Sequence, residues 1–212
     1  MAGITAALAA WVAGTSRIRR KAALALAKDA MKDIVACMVG GAGDPAVKAA
    51  ALAARGWGAV PSSALVRGVA AHALDYDDNF HPQAGHATAV LAPALFAVAE
   101  TRGASGHEVL DAYIVGLEAI ACIGRGVNLA HYERGWHSTS TIGAMGAAAA
   151  CAVPSSAGAS FIFCRCGGAG SLVALLPCNH AALCMMCAQR ERVCPGCARE
   201  FTDSRPSFKA KR

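Results

Sequence analysis

From residue 18 to residue 39, apolar side chains recur at helical spacing among charges, and the run stops at Gly40-Gly41, a pair well suited to ending a helix. Residues 62–74 repeat the pattern. Ser105 followed three positions later by Glu108 has the form of a capping box, and Leu110, Ile114, Leu117 and Ala121 then fall on one face, which predicts a helix starting at residue 106. Residues 87–99 and 141–153 are apolar nearly all round, so each is expected to be buried between other helices. The opening MAGITAALAAWVAGTS is apolar too, but its charges (Arg17, Arg19, Arg20, Lys21) follow the apolar run, the reverse of a secretory signal; it reads as the first helix of a soluble fold. Residues 153–160, VPSSAGAS, are of linker type. The pattern predicts a helical domain over residues 1–152, a linker at 153–160, a cysteine-rich module at 161–200, and a basic tail without regular structure at 201–212.

Composition sharpens this. Hydrophobic residues make up 55% of the 212-residue chain but aromatics only 6%, so the core must come from closely approaching, Ala-lined helices, and a large β-sandwich is disfavoured. The longest charge-free stretch, residues 135–163, is broken by Trp136-His137-Ser138-Thr139-Ser140 and Pro154-Ser155-Ser156, so no transmembrane helix is expected. The net charge of +6 is uneven: residues 1–163 hold 12 Lys/Arg against 11 Asp/Glu, and residues 164–212 hold 8 against 3. That C-terminal excess hints at nucleic acid. Seven thiolates around two metal ions would cancel it, leaving only the tail basic, so neither nucleic acid nor a membrane is an expected partner. The expected location is intracellular, cytoplasmic or nuclear.

Cys37, Cys122 and Cys151 sit among apolar neighbours and read as small buried hydrophobes. The other seven cysteines lie in CRCGGAGSLVALLPCNHAALCMMCAQRERVCPGC, where Cys164, Cys166, Cys178, His180, Cys184, Cys187, Cys194 and Cys197 form four close pairs. Zinc takes four N or S ligands in a tetrahedron, so eight imply two Zn2+ ions. A disulfide scaffold fits less well, because seven is odd and no secretory signal is present. The order of ligands resembles RING domains, and LLPCNHAALCMMCAQRERVCPGC is similar to those of Mex-type and inhibitor-of-apoptosis-type proteins. The resemblance implies a cross-brace: Cys164, Cys166, Cys184 and Cys187 on one zinc, and Cys178, His180, Cys194 and Cys197 on the other. It also implies a short strand at residues 172–176, a helical turn at 185–190, and a ubiquitin ligase in which Pro195 helps to hold a ubiquitin-conjugating enzyme. Two features depart from the ligases: Arg165 stands where an aliphatic contact is usual, and Ala198 follows the last ligand in place of a basic residue.

The helical part carries AAHALDYDDNFHPQAGHATAVLAPALFAVAE, with Asp75, Asp77 and Asp78 close to His72, His81 and His86. Spacing alone leaves open a metal cluster, an acid/base site or a solvated helix end. LDYDD with the following GH, and GVNLAHYERGWHSTSTIGAMGAAAA downstream, closely resemble the MmgE/PrpD family, whose members remove water or carbon dioxide from small tricarboxylates without a redox cofactor. The resemblance runs over residues 4–150 and implies that His86 and His137 are active-site histidines and Asp75 the active-site aspartate. An imidazole titrating near neutrality suits proton transfer. His81, His107 and His131 read as surface or helix-end residues.

The family's lysines and its second domain fall beyond the resemblance, with only Arg125 and Arg134 nearby to meet an anionic substrate. The expected fold is therefore mainly α: a truncated all-helical MmgE/PrpD-like domain followed by a small two-zinc RING module. The expected function is a zinc-dependent ligase or interaction module whose helical part self-associates. The alternatives are a lyase of the MmgE/PrpD type and a fusion product without function.

Overall fold

The structure, a computed structural model, describes residues 3–15 and 18–153 in full and, beyond them, only the backbone of three strands. Among the described residues, eight helices run in order: α1 (Ile4–Gly14), α2 (Lys21–Gly41), α3 (Pro45–Ala53), α4 (Ala59–His72), α5 (Thr88–Arg102), α6 (Gly106–Val127), α7 (Ala130–Glu133) and α8 (Ser138–Cys151). The Ser105 capping box forms as expected: Ser105 N donates to Glu108 Oε2 at 2.8 Å, and Glu108 N donates back to Ser105 Oγ. α3 has an equally clear start that the apolar pattern does not reveal, with Pro45 at its first position and Ala46 N donating to Asp44 Oδ1 at 2.7 Å.

α5 is the central element, packed by α2, α4, α6 and α8. Leu91 and Ala92 are completely buried, whereas Val90 and Ala94 are half-buried and line an open cleft. Complete burial of a Leu or Ile is worth about 1.5–3 kcal/mol, and Leu91, Ile120 and Ile142 meet in one cluster.

The buried side of α6 mixes large residues (Tyr113, Val115, Ile120) with small ones (Ala112, Gly116, Ala119), and α8 is the element it packs against most extensively. A Cβ at Gly116 would stand 2.7 Å from the Ala150 methyl and 3.0 Å from Gly146 O, and one at Gly146 would run into Ile120. Two helices rich in alanine and glycine pack this closely because little stands between their backbones.

α8 departs from expectation. It buries Ile142, Gly146, Ala149 and Ala150, yet Ala144 and Met145 are exposed, since no described element covers that face. Cys37 is buried and Cys151 half-buried, with burial pushing the Cys151 thiol up to about 11. Cys122 is exposed, contrary to its reading as a core residue. It falls with Glu118 and Arg125 on the solvent stripe of α6, whose i, i+4, i+7 spacing its apolar neighbours conceal.

Beyond the helices, β1 (Leu172–Leu176) lies between β2 (His180–Cys184) and β3 (Asp203–Pro206), both antiparallel to it. β1 occupies the residues expected to form a short strand, and β3 lies in the segment expected to be an unstructured tail. Cys164, Cys166, Cys178, Cys187, Cys194, Cys197, Pro195 and the turn at 185–190 fall outside the described residues, as do the side chains of His180 and Cys184. Among the described residues, no helix is long and apolar enough to cross a membrane.

Candidate active site

His72 closes α4, and the chain then folds back on itself before α5 begins. Asp75, at φ 55°, sends its N–H back to His72 O at 3.2 Å. Further on, Phe80 and Gly85 pair as an isolated antiparallel bridge, with Phe80 N donating to Gly85 O at 2.8 Å. This returns the chain so that His86, fourteen residues after His72, lies against it with ring centroids 4.5 Å apart.

The carboxylate of Asp77 lies between the two imidazoles. Its side chain is wholly buried; His72 Nδ1 is 2.9 Å from Oδ1 and 3.1 Å from Oδ2, and His86 Nδ1 is 3.2 Å from Oδ2. Despite that proximity, His86 Nδ1 makes no hydrogen bond and is itself buried. Asp75 Oδ1 approaches the opposite nitrogen of His86, Nε2, at 3.7 Å, and its side chain is 78% exposed. The aspartate in closest contact with His86 is thus Asp77, which the sequence places in the same cluster without distinguishing it. His72, Asp75, Asp77 and His86 each offer a ligand atom within 4.8 Å of the others, so the group could also hold a metal ion.

The loop is anchored from three sides. His86 N donates to Thr139 Oγ1 at 3.0 Å, and Gln83 Nε2, fully buried, donates to Ser138 O at 3.0 Å, which ties the loop to the start of α8. Asn128 Nδ2 donates to the carbonyls of Pro82 and Gln83. Thr88 N donates to Asp78 Oδ1 at 3.0 Å, so Asp78 caps α5 from outside the helix. Burial holds the Asp78 carboxyl above its usual range, against the lowering effect of the Thr88 hydrogen bonds. Tyr113 OH meets Thr88 Oγ1 at 2.8 Å, and burial pushes this phenol up to about 12.

His137 stands at the N-cap of α8, exposed, and lines an open cleft of ≈ 590 Å³ together with His72, Thr139 and Ser140. The rest of the cleft wall is mostly apolar, including Leu65, Val90, Pro93 and Ala144, and among the described residues no Lys or Arg lines it. Arg125 and Arg134 are exposed. Among the other histidines, His81 is exposed in the loop, His107 is exposed in the first turn of α6, and His131 Nε2 meets Thr141 Oγ1 at 2.8 Å. Sequence reasoning gave no sign of the Gln83, Asn128 and Thr139 anchors; two of these contacts join residues more than 50 positions apart, where no periodicity reaches.

The profile of the MmgE/PrpD N-terminal domain matches residues 6–159. Human cis-aconitate decarboxylase is 36% identical over 96 residues, covering 42% of this chain and 19% of that protein. The mouse cis-aconitate decarboxylase is 34% identical over 99 residues, again 42% of this chain and 19% of its own length. The match therefore spans about a fifth of these relatives.

Proposed function

We propose, from the premise that the chain belongs to the MmgE/PrpD family, that its helical part is the imidazole–carboxylate half of a lyase site for small polycarboxylates. The observation that carries this reading is the buried Asp77 carboxylate between His72 and His86 at the edge of the cleft that His72 and His137 line. In this reading His86 moves the proton at the carbon next to a carboxylate, and Asp77 stabilises the imidazolium that results. Asp75, at the other nitrogen of His86, orients the ring from the solvent side. In the same reading His137, which lines the cleft with His72, serves the opposite proton transfer. Removing a proton beside a carboxylate builds negative charge, which needs positive groups around it in the transition state. The cleft wall among the described residues supplies none, so the site needs a cationic complement from elsewhere.

The chain alone is accordingly expected to show no turnover of cis-aconitate or 2-methylcitrate by proton NMR. The decisive protein is a chimera in which residues 6–153 of this chain replace the matching segment of human cis-aconitate decarboxylase. It should release carbon dioxide from cis-aconitate; a chimera that folds and releases none would contradict the proposal.

A second reading concerns residues 161–200, where seven cysteines and one histidine have the spacing of a two-zinc RING module. The donor set suits Zn2+, and ligase activity with a ubiquitin-conjugating enzyme is the function that the resemblance to RING domains implies. Zinc counting, below, tests it.

A further inference from the structure

The geometry points to a divalent first-row transition ion, of the Zn2+ or Co2+ kind, bound by His72 Nδ1, His86 Nδ1 and Asp77 Oδ2. This goes beyond the acid–base reading and does not depend on it.

Three observations carry the inference. The first is spacing: Asp77 Oδ2 lies 3.1 Å from His72 Nδ1 and 3.2 Å from His86 Nδ1. Ligands bonded at about 2.0–2.1 Å around a tetrahedral zinc stand roughly 3.3 Å from one another, so two edges of the polyhedron are already close to the required length. The second is charge. Asp77 is wholly buried, and its ion-pair partners among the described residues are the two histidines alone. Asp75 and Asp78 add negative charge nearby, and among the described residues no Lys or Arg lines the adjoining cleft. A buried carboxylate needs a positive partner, and neutral imidazoles beside it provide none until a proton or a metal ion arrives. The third is the buried His86 Nδ1, which has no hydrogen bond among the described residues; its lone pair, in the tautomer that leaves it free, is available to a metal.

Two imidazoles and one carboxylate suit a borderline ion rather than Mg2+ or Ca2+, which prefer oxygen throughout. Three protein ligands leave one position for an exogenous oxygen ligand. Asp75 Oδ1 sits at the far nitrogen of His86, so it joins the same ion only by rotating its side chain. Metal and proton compete for one nitrogen pair: a chain with the ion in place cannot use His86 as a base, while the ion offers the cleft the positive charge its wall lacks.

The test is made on the full chain, dialysed against micromolar Zn2+ and then against metal-free buffer, with metal counted by mass spectrometry. Wild type should hold one ion per chain more than His72→Gln or His86→Gln, and His81→Gln, altered in the same loop but outside the cluster, should match wild type. Circular dichroism checks that each variant keeps its helices. If a variant loses them, wild type treated with N-ethylmaleimide decides: with thiols blocked, Co2+ should still bind one per chain and give visible bands without sulfur-to-cobalt charge transfer. Equal metal content in wild type and folded variants, or no cobalt bound by the thiol-blocked chain, would overturn the site. Neither readout involves turnover, so its failure is distinct from failure of the lyase reading.

Discussion

Gly124→Ala should destabilise the helical part by forcing α6 away from the loop that holds His86. A Cβ at Gly124 would run into the Pro82 carbonyl oxygen, with the carbonyl carbon at 2.8 Å and Gln83 Cα at 3.2 Å. These are backbone atoms, held in turn by Asn128 and, through the Gln83 side chain, by the Ser138 carbonyl. The loop cannot retreat without stretching those bonds. Overpacking of this kind costs about 1–3 kcal/mol, while replacing a helical glycine by alanine returns about 0.8–1.0 kcal/mol, so the net loss should be up to about 2 kcal/mol. Gly126→Ala is the internal control. It lies in the same helix, exposed, with nothing within 4 Å of the added methyl, and should gain up to about 1 kcal/mol. Urea unfolding followed at 222 nm measures both, and on melting the pair should separate by about 2–4 °C for each kcal/mol between them. Equal stability of the two variants would refute the close approach of α6 to the loop.

Other outcomes follow from the same structure. Burial raises the Asp78 carboxyl, so its contribution to stability is full below the ordinary carboxylate range and lost as pH rises through the raised value. Asp78→Asn keeps an oxygen to accept from Thr88 N; its stability relative to wild type should therefore improve as pH rises from the ordinary carboxylate range through the raised value, and a constant gap in urea midpoints would contradict this. Cobalt substitution of the full chain should show thiolate-to-cobalt charge transfer for two ions per chain. Cys194→Ser or Cys197→Ser should lose the ion assigned to Cys178, His180, Cys194 and Cys197 and leave the helical signal intact; absence of thiolate-bound metal in wild type would remove the RING reading. The exposed apolar strip of α8 at Ala144 and Met145 should drive self-association, seen as mass rising with concentration in sedimentation equilibrium, and a constant monomer mass would exclude it.

Local signals were the legible part of this fold. The Ser105–Glu108 box set the start of α6, because capping is chemistry between residues a few positions apart; Gly40 and Gly41 instead lie inside the last turn of α2, which is capped by Ala42, and a Cβ at Gly41 would run into the Ala70 carbonyl oxygen of α4. Asp44-Pro45 carried a signal of the same kind for α3, hidden because the eye follows apolar periodicity and α3 is mostly alanine. The buried face of α6 was harder to read, since large side chains mark a helix face in sequence whereas the contact with α8 depends as much on glycines, Gly116 against Ala150 and Gly146 against Ile120. At the site, the histidines and aspartates were visible as a cluster. Their roles were not, because the burial of Asp77 and its place between His72 and His86 come from a loop reversal pinned by Thr139, Ser138 and Asn128. Family resemblance pointed to Asp75, His86 and His137; the contacts that add His72 and Asp77 are made within one loop whose path no periodicity reveals.

The central claim, that His86 beside buried Asp77 is the proton-transfer group of a lyase half-site, is tested most directly by kcat for carbon dioxide release from cis-aconitate. The protein to use is the chimera carrying residues 6–153 of this chain, with and without His86→Gln. General acid–base catalysis contributes about 10²–10⁴-fold, so kcat should fall by at least about 100-fold while KM changes little. A folded His86→Gln chimera that keeps the parent kcat would contradict the account.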